Sequence, residues 1–253
     1  VSAADEESAL LGLAPVAPDR TLAYGPHPDQ VVDLYGPWGA AAGPPVVLLH
    51  GGFWRAAYDR CHLSPLAAAL AGQGRPVALV EYRRVGAGGG APGTFEDVAA
   101  GIEAVAAQDP GAGGPVLVGH SAGGHLALLA AARPGTPLAH VLAVSPVADL
   151  ARAHELGLSD GAVAELLGPA PGLAERLAAA DPMRHPPAGV PVTLLHGTDD
   201  PDVPLELSRR YAAAHPGSAE LRELPGVGHY APVTPGTPAC ATLCGLLPGP
   251  VPR

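Results

Sequence analysis

The chain has 253 residues, 47% of them hydrophobic, enough to bury one sizeable core. Its formal charge of −10 disfavours nucleic acid and anionic membrane surfaces as partners. All 14 basic residues are arginine, which excludes Schiff-base and phosphate-loop lysine chemistry.

The 34 glycines and 31 prolines mostly punctuate apolar runs and do not form tracts, as expected of a globular enzyme-sized chain. The first residues, VSAADEESALL, are acidic where a signal peptide is basic, and no apolar run approaches the ~20 residues that span a bilayer. With three cysteines, Cys61, Cys240 and Cys244, in no metal-ligand spacing, this predicts a reducing, cytoplasmic location. Residues 1–20 read as an N-terminal extension, either mobile or folded over a sheet edge.

Short β-branched runs bounded by Gly or Pro predict strands at 30–36 (QVVDLYG), 45–52 (PVVLLHGG), 76–83 (PVALVEYR), 115–121 (PVLVGHS), 140–146 (HVLAVSP) and 191–197 (PVTLLHG), with a late strand at 218–226. Ala/Leu-rich segments of helical spacing lie at 63–71, 94–108, 122–132 and 205–214, and 238–247 closes the chain as a helix. Strand alternating with helix implies a mostly parallel sheet with helices on both faces. Residues 149–189 carry helical pieces and no strand, a cap-like insertion in a single domain spanning 1–253.

Four stretches carry chemistry. Gly119-His120-Ser121-Ala122-Gly123 matches G-x-S-x-G, whose small neighbours allow a strained strand-to-helix turn that presents a serine hydroxyl. There Ser121 is either a nucleophile or a helix cap, and the Ala122 N–H lies where it can hold an oxyanion. Paired glycines in LLHGGFWR (48–55) present backbone N–H groups at the end of an earlier strand. Phe53 and Trp54, two of only ten aromatic residues, read as the wall of an acyl or aryl pocket, against the alternative of a hydrophobic plug.

LLHGTDDPDVP (194–204) and LPGVGHYAP (224–232) supply an acid and a histidine in the order that follows the serine in a Ser-Asp-His hydrolase. His229, between Gly228 and Tyr230, is the candidate base, and Tyr230 joins the pocket. Three aspartates compete for the acid: Asp200 sits mid-loop, Asp199 suits a turn, and Asp202 suits a helix cap but stays second in line for the role. His50 and His196 read as loop hydrogen-bonders, His120 as shaping the turn, and His125 as a packed core residue. Glu96 and Asp97 suit the positive end of a helix. Neither a metal nor a nucleotide cofactor is predicted.

HGGFW, EYR, GHSAGGHLA, HGTDDPDVP and GVGHY together resemble the α/β-hydrolase superfamily, and within it kynurenine formamidase (arylformamidase) and the hormone-sensitive-lipase-like esterases. The resemblance covers about residues 24–230. It implies the α/β-hydrolase fold, with Ser121 as nucleophile, Asp200 as acid at the fifth position of HGxxDxxVP, His229 as base, and Gly52, Phe53 and Ala122 as oxyanion donors. Phe53, where lipase relatives show a third glycine, favours the formamidase branch and cleavage of N-formylkynurenine to kynurenine and formate. A general carboxylesterase, and a noncatalytic binding protein on the same fold, are the alternatives. The expected partner is a small amide or ester, and assembly as a homodimer is left open.

Overall fold

The apolar runs assemble into one sheet in the computed structural model, which describes residues 3–39, 43–110 and 114–248. Among the described residues the strands are β1 (Arg20–Ala23), β2 (Val31–Tyr35), β3 (Val46–Leu49), β4 (Val77–Val80), β5 (Val116–His120), β6 (His140–Val144), β7 (Val192–Gly197) and β8 (Ala219–Leu224). They lie in the spatial order β1-β2-β4-β3-β5-β6-β7-β8. β2 runs antiparallel to both β1 and β4, and every other pairing is parallel.

Strand periodicity sorts the side chains into two cores. Along β3, Val46 and Leu48 join one apolar cluster while Val47 and Leu49 join the other. The first face is covered by α1 (Ala3–Leu11), α2 (Ser64–Gly72) and α9 (Pro238–Leu246), through Leu10, Leu66, Leu70 and Leu243. The second is covered by α3 (Gly93–Ala106), α4 (Ala122–Ala132) and α8 (Leu205–Ala214), through Ile102, Leu126 and Leu207. Burial on both faces explains why the inner strands read as unbroken apolar runs. At the edge, β8 exposes Glu220, Arg222 and Glu223, which form ion pairs and discourage pairing with another strand.

Residues 149–189 hold α5 (Leu150–Glu155), α6 (Leu158–Leu167) and α7 (Leu173–Ala180), with no strand among them. Leu150, Val163, Leu166 and Leu167 share one apolar cluster with Leu126 and Leu128 of α4, so this cap is packed onto the body. α6 opens with a left-handed run at Ser159, Asp160 and Gly161.

The N-terminal segment, open in the sequence between a mobile stretch and one folded over a sheet edge, packs through its helix on a face of the sheet instead. Residues 3–11 form α1, and Leu10, 1% exposed, anchors it against α2 and α9. β1 was not anticipated either, because four largely exposed residues leave no apolar alternation to read. β3 and β4 end at Leu49 and Val80, short of the expected bounds at 52 and 83, because the apolar run stops where the polar His50 and Glu81 begin. No helix among the described residues is long and apolar enough to cross a membrane.

Candidate active site

Ser121 joins β5 to α4 with φ 57° and ψ −117°, and its side chain does not cap the helix. A non-glycine residue in that conformation is strained, and the neighbouring backbone enforces it. A Cβ on Gly119 would fall 2.2 Å from the Gly123 carbonyl, and one on Gly123 would fall 2.3 Å from the Leu49 carbonyl. Only glycine at both positions lets β3, β5 and α4 approach this closely. The turn presents Ser121 to a cavity of about 230 Å³ that His229, Gly52 and Phe53 also line.

The histidine and the acid meet as their order in the chain predicts. His229 Nδ1 lies 2.7 Å from Asp200 Oδ2. A proton on Nδ1 donated to the carboxylate leaves the Nε2 lone pair as the basic nitrogen. Asp200 is held from four sides: Oδ1 accepts from the N–H groups of Asp202 (3.0 Å) and Val203 (2.9 Å), and Oδ2 also lies 3.2 Å from His196 Nε2. Burial pushes the Asp200 carboxyl up, but the hydrogen bonds from His196 and His229 outweigh it and hold the group well below the usual carboxylate range.

His196 was read from sequence only as a loop hydrogen-bonder. It shares its Nε2 proton between Asp200 and the Val203 carbonyl at 2.9 Å, while Nδ1 accepts from the Ser208 hydroxyl at 2.7 Å. Asp202 does not cap α8, whose cap position is Pro204. Asp202 lines the cavity, and burial together with its carboxylate pushes the neighbouring Tyr230 phenol up. Tyr230 therefore stands at the pocket, as the sequence suggests.

The loop after β3 carries a run of positive φ at Gly52 (99°), Phe53 (47°) and Trp54 (59°). Gly52 and Phe53 face the cavity. Trp54 does not: the twist turns its indole inward, where it is fully buried edge-to-face on His125 with ring centroids 5.2 Å apart. The expectation that Trp54 walls the pocket is therefore corrected, and Trp54 is the plug weighed as its alternative. Ala122 is the first residue of α4, so its N–H has no acceptor within the helix. Gly52→Ala should be costly, because the added Cβ would sit 2.4 Å from Tyr58 Cβ at a φ that glycine favours. If this loop supplies an oxyanion donor, the substitution should lower kcat by about 10²–10³-fold, measured by steady-state ester hydrolysis on folded protein.

Beneath the loop lies a buried polar bracket. His50 Nε2 lies 2.7 Å from Glu81 Oε1, the His50 ring stacks on Tyr82 at 4.5 Å, and the Tyr82 hydroxyl donates to the His50 carbonyl at 2.8 Å. Glu81 Oε2 accepts from the Arg60 N–H at 2.9 Å. Burial pushes Glu81 up, but His50, Arg84 and the Arg60 N–H draw it down from 4.5 to about 2. Burial lowers His125 from 6.5 to about 4, partly offset by its hydrogen bond to the Ala180 carbonyl. Each group binds fewer protons folded than unfolded within its window, so stability rises with pH there. Urea unfolding should therefore show stability falling as pH drops from 6.5 to about 4 through His125, and from 4.5 to about 2 through Glu81. Glu81→Gln should flatten the lower window.

Several residues at the site carried no readable sequence signal. Glu7, Leu11, Arg55, Tyr58, His62 and Ser159 join the cavity wall from three separate segments. Arg55 reaches from the Gly52 loop to the cap, donating to Glu165 Oε2 (2.7 Å), Ser159 Oγ (2.9 Å) and the Ser159 carbonyl (2.7 Å). Asp97 does not serve the helix end expected of it. It accepts from Arg83 Nη2 at 2.7 Å and Gln30 Nε2 at 2.7 Å.

A strained serine after the central strand, a histidine after the last, an acid after the one between, and this strand order define the α/β-hydrolase fold. Residues 32–214 match the BD-FAE family profile, and the chain belongs to that family. Solved structures of similar fold include esterase B from Lactobacillus rhamnosis, with TM-score 0.76 at 22% identity over 96% of this chain and 89% of that one. A truncated carbohydrate esterase from gut microbiota gives 0.74 at 18% identity over 92% and 97%. An acetyl ester-xyloside bifunctional hydrolase from Caldicellulosiruptor lactoaceticus gives 0.72 at 22% identity over 93% and 95%. No curated protein matches the chain.

Proposed function

We propose that the protein is a serine carboxylesterase that removes a short acyl group from a polar, polyhydroxy alcohol. The observation that carries this reading is the 2.7 Å contact between His229 Nδ1 and Asp200, beside the strained Ser121 in a shared cavity. Both similar structures named for carbohydrate chemistry belong to ester hydrolases, which supports an ester over an amide. A cavity of about 230 Å³ ringed by Glu7, Arg55, His62 and Asp202 suits a short acyl chain and a hydroxyl-rich leaving group better than a long lipid tail.

His229 Nε2 takes the Ser121 hydroxyl proton as Oγ attacks the ester carbonyl. The oxyanion that forms is held by backbone N–H groups of Gly52, Phe53 and Ala122, each such donor being worth about 2.7–4 kcal/mol of barrier. Collapse breaks the ester C–O bond, and the alcohol leaves with the proton from His229. Water, deprotonated by His229, then attacks the acyl-enzyme and releases the acid and free Ser121. Asp200 stays ionised throughout, fixing the imidazole tautomer and stabilising the imidazolium.

A panel of p-nitrophenyl acetate, butyrate and octanoate, acetylated xylose and N-formylkynurenine, against wild type and Ser121→Ala, tests the assignment. Highest kcat/KM on acetate or acetylated sugar, lost in Ser121→Ala, supports it. Preference for N-formylkynurenine would replace it with the formamidase reading. No turnover together with no labelling of Ser121 by a fluorophosphonate would leave the noncatalytic one.

A further inference from the structure

The backbone around His229 is gripped from two sides, and one grip comes from the far end of the sequence. Glu6 on α1 is 7% exposed. Its Oε1 accepts from the Gly228 N–H at 2.9 Å, and its Oε2 accepts from the N–H groups of Ala231 at 3.0 Å and Tyr230 at 3.2 Å. From the other side, His120 Nε2 donates to the His229 carbonyl at 3.1 Å.

Residues 225–230 lie in no helix or strand, so their N–H groups need acceptors from elsewhere when buried. A carboxylate taking two of them, at Gly228 and Tyr230, and also the first N–H of the short 3₁₀ turn Ala231–Val233 offsets its own desolvation. The fit is close: a Cβ on Gly228 would lie 2.7 Å from Glu6 Oε2. Leu10 fixes α1 in the core one turn further on, while Glu7 and Leu11 of the same helix face the cavity. α1 is thus tied both to the backbone that carries His229 and to the mouth of the site.

We propose that Glu6 is the positioning residue for the catalytic histidine: by fixing the 228–231 backbone it places His229 Nδ1 on Asp200 and aims Nε2 at the serine. The inference rests on reading Ser121, His229 and Asp200 as a catalytic triad. Glu6 touches neither substrate nor reacting atoms and acts only through the loop.

Glu6→Gln keeps the size but turns an amide NH₂ toward backbone donors, so at least one of the three bonds is lost. Small misplacement of a catalytic group is costly, and kcat should fall about tenfold or more with KM held within about threefold. The rate at which a fluorophosphonate labels Ser121 should fall in step. Hydrogen exchange should quicken at the 228, 230 and 231 amides while the sheet stays protected. Glu6→Asp, which keeps the charge, should recover part of the labelling rate and carries the test if Glu6→Gln fails to fold. Wild-type kcat and labelling rate in folded Glu6→Gln would overturn the proposal. So would activity lost only in proportion to folded protein, measured by circular dichroism. If the wild type neither hydrolyses esters nor reacts with the probe, the triad reading fails alone, and the exchange measurement still decides whether Glu6 holds the loop.

Discussion

Ser121→Ala is expected to lower kcat on any ester the wild type hydrolyses by about 10⁴-fold or more, with the folded protein otherwise unchanged. Alanine adds nothing to a position already walled by the Gly119 and Gly123 approaches, and it can take the same φ of 57° at no greater steric cost than serine. The side chain makes no capping hydrogen bond to α4, so removing the hydroxyl costs the helix little. Thermal unfolding should change only slightly, which separates loss of chemistry from loss of structure. A residual rate within about tenfold of wild type on p-nitrophenyl butyrate would put the nucleophile elsewhere.

Asp200→Asn should be nearly as damaging, lowering kcat by about 10⁴-fold. Asparagine can keep the Oδ1 contacts to the N–H groups of Asp202 and Val203, so the loop should hold its shape. At Oδ2, however, two imidazole nitrogens converge, His229 Nδ1 at 2.7 Å and His196 Nε2 at 3.2 Å. An NH₂ there faces two donors and drives His229 toward the wrong tautomer. Asp202→Asn makes the contrasting test, because that carboxylate meets Tyr230 at the cavity mouth and not His229. It should alter KM far more than kcat, and a large kcat loss in Asp202→Asn with a small one in Asp200→Asn would reverse the assignment.

The parts legible in the sequence were those with local causes. β3, β5, β6 and β7 announce themselves as β-branched runs because parallel strands are buried on both faces. The serine turn shows itself through glycines that backbone approaches of 2.2–2.3 Å to a Cβ position make obligatory. What stayed hidden depends on contacts across the chain. Nothing in DEES distinguishes Glu6 from its acidic neighbours, and its partners lie more than 200 positions away. Trp54 misled because composition says that an aromatic is present, whereas the positive φ values of Phe53 and Trp54 decide which of the two faces the cavity. The sequence places His196 at the end of its strand as a hydrogen-bonder to the loops, but its share in Asp200 follows from how residues 198–203 fold back on the end of β7.

The Arg55 guanidinium ties the Gly52 loop to the opening turn of the cap through Ser159 and Glu165. The cap and the Gly52 loop are therefore linked through one side chain that also borders the cavity. Under the proposed mechanism, room for the substrate and tightness of transition-state binding are coupled through Arg55. A redesign that widens the pocket by shortening α6 would release Arg55 and let the loop beside Ser121 drift. Selectivity gained that way would come with slower turnover, unless a new anchor for Arg55 were built in at the same time.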